Sequence, residues 1–295
     1  MKINYFFIAI LFFIFSSCTL DGVNNDKDSF DLDSSFIKNN LIPETENNNT
    51  APQLKIDTLN SGEANSMVWN GDGGLRIEWD KKGKGGKIQL HDVVMVNYDA
   101  RVARGDVYDS NSEIGQPVAL KTGIGQLIEG WEKGLLQMSS GDVGRIMIPS
   151  KMGYGEDGLL GVVPQSADII VEIEIISIVT PIELQEGVKV YKYQSVSEGA
   201  YPQKNQTITF DYFTFKTGTK PGLYDNSYEK GVPFNFKFEN DNVVDGLHIG
   251  FSQIRANEKA FIYIPSNLAY GSKGLVDIVP PNTDIIFDVR VESIK

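Results

Sequence analysis

The chain has 295 residues, a formal net charge of −12 and one cysteine. Its length predicts about two domains. The excess of acidic residues argues against a nucleic-acid partner, because binding to phosphates requires a basic surface. With Cys18 as the sole thiol, an intrachain disulfide and a cysteine-based metal site are both excluded.

Residues 1–18 predict a lipoprotein signal peptide. A basic residue near the start precedes an apolar run over 5–15, which is shorter than the ~20 residues that span a bilayer and is typical of an export signal. The two serines before Cys18 resemble the lipobox of bacterial lipoproteins, in which the thiol is acylated and the cysteine becomes the mature N-terminus. We therefore expect a protein of the cell envelope, on the periplasmic face or at the outer membrane, anchored through a lipid on Cys18. Ordinary signal cleavage with a spare thiol is the alternative.

Residues 19–66 predict a flexible acidic tether. This stretch is rich in Asn, Asp, Ser and Thr, and residues 19–65 hold nine acidic residues and three lysines. Such a composition cannot bury enough apolar surface to offset the entropy of ordering the chain. We expect it to act as a spacer between the membrane and the rest of the protein.

The remaining chain repeats itself at an offset of 116 residues. The segment 148–155, Ile-Pro-Ser-Lys-Met-Gly-Tyr-Gly, returns as Ile-Pro-Ser-Asn-Leu-Ala-Tyr-Gly, and the register holds without a gap over 108–178. A period of this length indicates tandem domains, because solenoid repeats are much shorter. We predict one domain over 67–180 and a second over 181–295.

Each copy combines strand-forming runs with one amphipathic segment. β-Branched and aromatic residues predict strands over 93–98, 143–148 and 168–178, and over their counterparts 207–212, 259–264 and 284–294. The third strand alternates apolar residues from Ile169 to Ile175 with acidic ones, which predicts one buried face. Apolar residues at helical spacing predict a helix over 127–138, with a counterpart over 243–254. One short helix on an antiparallel sheet is an α+β architecture.

The two histidines, His91 and His248, do not occupy equivalent positions in the repeat. A mechanism shared by both copies therefore uses neither histidine nor cysteine. We predict a function that needs no metal and no other cofactor.

An ordered series of residues resembles the FKBP-type peptidyl-prolyl cis-trans isomerases over about 75–178 and 188–295. In the first copy the series comprises Tyr98, Tyr108-Asp109-Ser110, Gly115, Pro117, Leu127-Ile128, Gly130-Trp131, Gly134-Leu135, Met138, Gly141-Asp142, Ile148-Pro149, Tyr154-Gly155 and Val162-Val163-Pro164. The resemblance implies two tandem domains, each a curved antiparallel sheet wrapped around one short helix. It also implies a ligand between that helix and the concave face of the sheet.

The resemblance places a prolyl pocket in the first copy, with Trp131 as its floor. It implies that the Ile128 N–H and the Tyr154 hydroxyl donate hydrogen bonds to ligand carbonyls, and that Asp109 lies near the twisted amide. The implied catalytic residues are Tyr98, Tyr108, Asp109, Trp131 and Tyr154, and the implied substrate-binding residues are Val118, Leu127, Ile128, Val162, Val163 and Val171. The family usually has aromatic residues at the positions of Val118 and Val171, so we expect a wider or less aromatic pocket.

The second copy keeps the outline of the pocket but changes its floor. The matching residues are Tyr212, Tyr224, Asp225, Phe234, Val243, Val244, Leu247, Tyr270, Val279 and Phe287. Phe234 and Phe287 restore the two aromatic residues, whereas Leu247 stands where the first copy has Trp131. We expect the first copy to be the catalytic one and the second to be weakened or inactive.

The resemblance implies a peptidyl-prolyl isomerase that acts on proline-containing polypeptides and assists the folding of exported proteins. A dry aromatic pocket suits this reaction, because it removes water from the amide and favours the less polar twisted form. The alternative is a non-catalytic chaperone or scaffold lipoprotein, which uses the same grooves to hold proline segments and supports, for example, surface or gliding machinery.

Overall fold

The computed structural model describes residues 67–112 and 114–295, and it contains two seven-stranded antiparallel sheets, one for each copy of the repeat. This confirms the expected α+β architecture. The predicted signal peptide and tether lie outside the described residues. Within the described part of the chain, no helix has both the length and the apolar character needed to cross a membrane.

The first sheet wraps around one helix. Its elements are β1 (Met67–Asn70), β2 (Arg76–Lys81), β3 (Val93–Val102), β4 (Val107–Ser110), β5 (Val118–Lys121), α1 (Glu129–Leu135), β6 (Val143–Ile148) and β7 (Ile169–Ile178). The strands are ordered β1-β2-β6-β7-β3-β4, and β5 also pairs with β3. Long β3 and β7 therefore lie side by side within the sheet, and alternate side chains of both strands are buried in one core with α1.

The second sheet repeats this order and adds one short helix. Its elements are β8 (Ile182–Glu183), β9 (Lys189–Gln194), β10 (Thr207–Lys216), β11 (Gly222–Asn226), α2 (Ser227–Lys230), β12 (Phe234–Lys237), α3 (Asp245–Phe251), β13 (Lys259–Ile264) and β14 (Ile285–Ile294). The strands are ordered β11-β10-β14-β13-β9-β8, and β12 pairs with β10. Helix α2 was not predicted; it begins where the Asn226 side chain accepts a hydrogen bond from the Glu229 N–H at 2.8 Å.

Strand β7 has the single buried face that its alternation predicted. Ile169, Val171, Ile173 and Ile175 are buried in the core, whereas the residues between them are partly exposed. Its counterpart β14 is buried on both faces over most of its length. The second face of β14 is covered by the first domain, as described below.

Helix α1 is shorter than the predicted 127–138. It begins after Ile128, whose backbone is extended with ψ of 149°. Its last residues continue as a tight turn, in which the Met138 N–H donates to the Leu135 carbonyl at 2.9 Å. Only the central part of the apolar stripe is helical, because the extended backbone at Ile128 precedes the helix and the tight turn after Leu135 ends it.

Two glycines let α1 lie directly on β6. A Cβ atom built on Gly130 would lie 2.3 Å from a methyl carbon of Ile148, and one built on Gly134 would lie 2.7 Å from Ile146. Gly246 and Gly250 make the same close approach between α3 and β13. The helix can therefore sit close enough to the sheet to bring Trp131 over the concave face.

We predict that Gly134→Ala lowers the free energy of unfolding of the first domain by roughly 1–3 kcal/mol, because the added methyl must displace α1 from Ile146. Chemical denaturation followed by tryptophan fluorescence measures this. Gly115→Ala is a poor control because of its positive φ, but Gly86→Ala is suitable, since the nearest atom to its Cβ is 3.9 Å away. A loss no larger than that of Gly86→Ala would contradict the close approach.

An apolar interface joins the two domains. Its buried members, termed the interdomain cluster, are Val93 and Ile124 of the first domain and Tyr191, Phe213, Phe215, Phe261 and Ile286 of the second. The loop before α1 also meets the second domain, because a Cβ on Gly125 would lie 2.8 Å from the Pro221 carbonyl oxygen. The burial of both faces of β10 and β14 follows from this contact.

Lys121 is enclosed at the interdomain cluster. Its side chain is 0% exposed, and its Nζ donates to the His91 carbonyl at 2.6 Å. The same Nζ lies 3.9 Å from the ring centroid of Tyr191 in the second domain. A lysine buried at a domain interface without a carboxylate in direct contact is expensive in free energy, which makes it a sensitive probe of the interface.

Candidate active sites in the two domains

The first pocket is centred on an edge-to-face pair of aromatic rings. Trp131 projects from α1 and Tyr98 from β3, and their ring centroids are 4.9 Å apart at an interplanar angle of 67°. Both side chains are almost fully buried, with 6% and 5% exposure. Such geometry fixes the orientation of both rings and creates an apolar floor between the helix and the sheet.

Polar groups lie at one side of this floor. The Tyr98 hydroxyl donates to Asp109 at 2.9 Å, and Tyr108 meets Tyr154 edge-to-face at a centroid distance of 6.0 Å. Burial raises the pKa of Asp109, although the Tyr98 hydrogen bond partly offsets this effect. Burial also raises the pKa values of Tyr98 and Tyr108 well above the ordinary tyrosine value, and it raises the pKa of Tyr154. The three phenols are therefore neutral hydrogen-bonding groups at neutral pH.

The structure brings the residues expected in the first pocket together, with one exception. Tyr98, Ile128, Trp131, Val163 and Val171 are buried in one cluster, and Tyr108, Val118, Leu127 and Tyr154 pack against it. Asp109 joins them through Tyr98. Val162 is 45% exposed and lies outside this cluster.

Asn111 is a positioning residue that the sequence did not single out. It is buried, and its Oδ1 accepts the Tyr98 N–H at 2.6 Å while its Nδ2 donates to the Gln116 carbonyl at 2.8 Å. In the second domain the Ser227 hydroxyl accepts the Tyr212 N–H at 3.0 Å. The repeat did not indicate this positioning role, because Asn111 aligns with a different residue type, Ser227.

The second pocket is rich in phenylalanine. Tyr212 lies 6.2 Å from the ring centroid of Phe234 and 6.0 Å from that of Phe287. The other expected residues are also gathered here: Leu247 and Val279 are buried, and Tyr224, Val243, Val244 and Tyr270 pack against the same core. Phe234 is 41% exposed and forms part of the pocket mouth. In the first pocket an aromatic ring, Trp131, comes from the helix, whereas in the second pocket Tyr212 and both phenylalanines come from strands of the sheet.

Lys230 distinguishes the second pocket electrostatically. Its Nζ lies 2.7 Å from the Asp225 carboxylate and 2.8 Å from the Tyr212 hydroxyl, which itself donates to Asp225 at 2.8 Å. The equivalent residue in the first domain is Ile114. Asp225 is therefore paired with a cation, whereas Asp109 accepts hydrogen bonds from neutral donors, the Tyr98 hydroxyl and the Ser110 backbone N–H. Sequence alone could have identified this difference, because the repeat aligns Ile114 with Lys230.

Among the described residues, no group of three or more His, Cys, Asp or Glu side chains is arranged to hold a metal ion. The chemistry available in each pocket is an apolar floor, phenolic hydroxyls, one carboxylate and backbone N–H groups, with the Lys230 ammonium in addition in the second pocket. Ile128 stands at the N-cap of α1, so its own N–H lies outside the helical ladder. This set can bind and desolvate an amide, and it contains no activated nucleophile.

The chain is similar to several known proteins. Peptidyl-prolyl cis-trans isomerase FKBP10 of Mus musculus is 26% identical over 204 residues, covering 69% of this chain and 34% of the relative. Peptidyl-prolyl cis-trans isomerase FKBP15-2 of Arabidopsis thaliana is 38% identical over 106 residues, covering 35% of this chain and 65% of the relative. The crystal structure of the three FKBP domains of wheat FKBP73 has 23% identity and a TM-score of 0.39, covering 76% of this chain and 96% of that chain. The chain spans about a third of the length of the mouse relative.

A family model described as FKBP-type peptidyl-prolyl cis-trans isomerase matches residues 84–176 and again residues 199–292. The two matches include both aromatic pockets and together cover more than half of the chain. The protein therefore belongs to the FKBP-type peptidyl-prolyl cis-trans isomerase family and contains two tandem domains of that family.

Proposed function

We propose that the first domain catalyses cis–trans isomerisation of X–Pro bonds in polypeptides. The observation that supports this most directly is the packed pair of Trp131 and Tyr98, two nearly buried aromatic rings beside Asp109 and two further tyrosines. A proline ring fits such a floor, because it is apolar and has no N–H group to satisfy.

The reaction needs desolvation and not bond cleavage. Rotation about the X–Pro amide has a barrier of about 18–20 kcal/mol, because the C–N bond has partial double-bond character. Water stabilises the planar, more polar amide by hydrogen bonding to its carbonyl. A pocket that excludes water and binds the twisted amide lowers the barrier without a nucleophile or a metal.

We assign the polar groups of the first pocket to substrate orientation. The Ile128 N–H and the Tyr154 hydroxyl donate to carbonyls on either side of the proline, and Asp109 faces the twisting amide. The raised pKa values of the tyrosines favour this role, since a neutral phenol can donate a hydrogen bond.

We predict that Trp131→Leu lowers kcat/KM of the full chain by about three- to ten-fold, because loss of an edge-to-face aromatic partner costs about 0.5–1.5 kcal/mol. A refolding assay limited by proline isomerisation measures this. Leu247→Trp is the matched exchange in the second domain, where we expect a gain or no change. Circular dichroism confirms that each variant is folded.

This assay also separates the two candidate functions. If the full chain does not accelerate the slow refolding phase, the enzyme proposal fails. If proline peptides nevertheless perturb Trp131, the non-catalytic proline-binding chaperone or scaffold becomes the function. The pairing of Lys230 with Asp225 and the change of floor to Leu247 favour that second candidate for the second domain.

We further propose that the clients are exported polypeptides and that the protein acts from a lipid anchor on Cys18. The export signal and lipobox-like sequence support this location. Mass spectrometry of the mature protein tests it directly: an acylated N-terminal Cys18 is expected, and an unmodified thiol would contradict the anchor.

A further inference from the structure

The two pockets open between equivalent pairs of loops, termed here the mouth loops. In the first domain they are the described residues 102–112 and 114, which carry Tyr108 and Asp109, and residues 155–161, which directly follow Tyr154. In the second domain the equivalents are residues 216–230 and 271–277. Because one loop of each pair contains pocket residues and the other directly follows one, their charged side chains lie next to the pocket along the chain.

Backbone geometry supports the equivalence of these loops. Gly115 and Gly231, at the ends of the first pair, have φ values of +65° and +68°. Gly158 and Gly274 also share positive φ, and a Cβ on either would lie 2.4 or 2.3 Å from the carbonyl of the matching valine. A residue-by-residue comparison of charge is therefore justified.

The sequence gives the mouth loops opposite charge. The described residues of the first domain's loops contain one base, Arg104, and four acids: Asp106, Asp109, Glu156 and Asp157. Those of the second contain four bases, Lys216, Lys220, Lys230 and Lys273, and three acids, Asp225, Glu229 and Asp277. The first pocket thus has an acidic mouth, and the second has a slightly basic one.

Individual positions show where the reversal occurs. Ile114 is replaced by Lys230, and the exposed pair Glu156-Asp157 is replaced by Ser272-Lys273. Lys216 lies beside the second mouth loop of its domain, because its Nζ donates at 2.9 Å to the carbonyl of Ile278, the residue that follows that loop. The reversal therefore concerns exposed side chains next to the pocket residues, which make little contribution to the core.

We propose, on the basis of the proposed function of the pockets, that the two domains take prolines in opposite charge contexts. The first pocket prefers proline segments flanked by basic residues, and the second prefers those flanked by acidic residues. Charge complementarity around an apolar anchor is a general source of such discrimination, since the wrong sign is repelled. One chain would thereby serve a wider set of clients than two identical pockets.

The experiment uses the full chain and three capped peptides with the core Ala-Leu-Pro-Phe-Ala, flanked on both sides by lysines, glutamates or serines. NMR distinguishes the pockets: the Trp131 indole N–H reports on the first, and the Leu247 methyl groups report on the second. At low salt we expect the first pocket to bind the lysine peptide roughly three- to ten-fold more tightly than the glutamate peptide, and the second to show the reverse. We expect both preferences to disappear at 0.5 M salt, because salt screens the interactions between exposed charges.

Charge exchange between the domains provides the matched variants. Glu156→Ser combined with Asp157→Lys gives the first pocket the residues of the second, and Lys230→Ile combined with Lys273→Asp does the opposite. All four side chains are exposed, so folding should be preserved. We expect each double variant to reduce the preference of its own pocket to less than two-fold and to leave the other pocket unchanged.

The outcomes separate this inference from the proposed function. Equal affinities of one pocket for the three peptides, or the same sign preferred by both pockets, would overturn the charge selectivity and leave proline binding intact. If the serine peptide moves neither the Trp131 nor the Leu247 signals, or if a peptide with alanine in place of proline binds equally well, the proposed function itself fails.

Discussion

Replacing Asp142 by alanine is expected to lower the free energy of unfolding of the first domain by about 3–5 kcal/mol. The side chain is 0% exposed and accepts three hydrogen bonds: from the Trp79 indole at 2.8 Å, the Gly83 N–H at 2.7 Å and the Ser139 N–H at 3.0 Å. Lys82 lies over the Trp79 ring at 3.2 Å and completes the charge balance. Removal of the carboxylate leaves several donors buried without an acceptor.

Urea denaturation followed by tryptophan fluorescence measures this loss. All three tryptophans of the chain lie in the first domain, so the signal reports on that domain alone. Asp80→Ala is the control, because Asp80 forms a half-exposed ion pair with Arg145 at 3.3 Å and should contribute less than about 1 kcal/mol. A loss of isomerase activity without a loss of stability would show that Asp142 serves the pocket and not the scaffold.

In the second domain a glutamate accepts the corresponding hydrogen bonds. Glu258, at the position equivalent to Asp142, is buried and accepts from the Lys192 ammonium at 2.7 Å and from the Arg255 N–H at 2.8 Å. The indole partner is absent from this set of contacts, and a lysine replaces it. In both domains a buried acid at this position therefore holds a loop against the sheet. This structural role explains why a buried acid occurs outside the pockets.

Three strands of each domain and the central parts of α1 and α3 were predictable from the sequence because each depends on local pattern, whereas the remaining strands and α2 were not predicted. Alternation along β7 specified its buried face. The pocket residues followed from an ordered series that recurs in both copies. Such features depend on spacing within one domain, and spacing is visible in a sequence.

The interdomain cluster was not predicted, although the sequence carried a signal for it. Strand β10 has aromatic residues on both faces, including Phe213 and Phe215, whereas the same stretch of β3 carries Asp99 and Arg101. A strand that is apolar on both faces is covered on both faces. What the sequence could not provide is the covering partner, because contact between domains depends on a docking geometry that no local pattern encodes.

Lys121→Met is expected to stabilise the docked domains at pH 7 and to abolish a rise in stability between about pH 7 and pH 10. Burial lowers the pKa of Lys121 to about 7; the charge of Asp92 raises it and that of Lys189 lowers it further. Methionine has a similar length and fills the same space without a charge. The variant removes the ammonium while it keeps the apolar contacts with the second domain.

The sign of the pH dependence follows from the lowered pKa. Between pH 7 and 10.5, the unfolded chain keeps the proton on Lys121, while the folded chain has lost it. Stability rises with pH wherever the unfolded state binds more protons, so the wild-type protein gains stability across this window and loses it again as the pH falls to 7. The carbonyl of His91 and the ring of Tyr191 support the ammonium, which limits the expected rise to about 2–3 kcal/mol.

Calorimetric unfolding of the full chain at pH 7, 8.5 and 10 tests this expectation. His91 and Glu132 also have shifted pKa values near the junction, the first lowered and the second raised to about 7 by burial. Both are retained in the variant, but Glu132 titrates near pH 7 and the charge of Lys121 contributes to the lowered pKa of His91. The difference between wild type and variant from pH 8.5 to 10, above both pKa values, therefore reports on Lys121. Lys237→Met, at the equivalent exposed position of the second domain, should change nothing measurable. Parallel pH profiles for wild type and Lys121→Met would mean that the ammonium reaches water and that the domains are not held together around it.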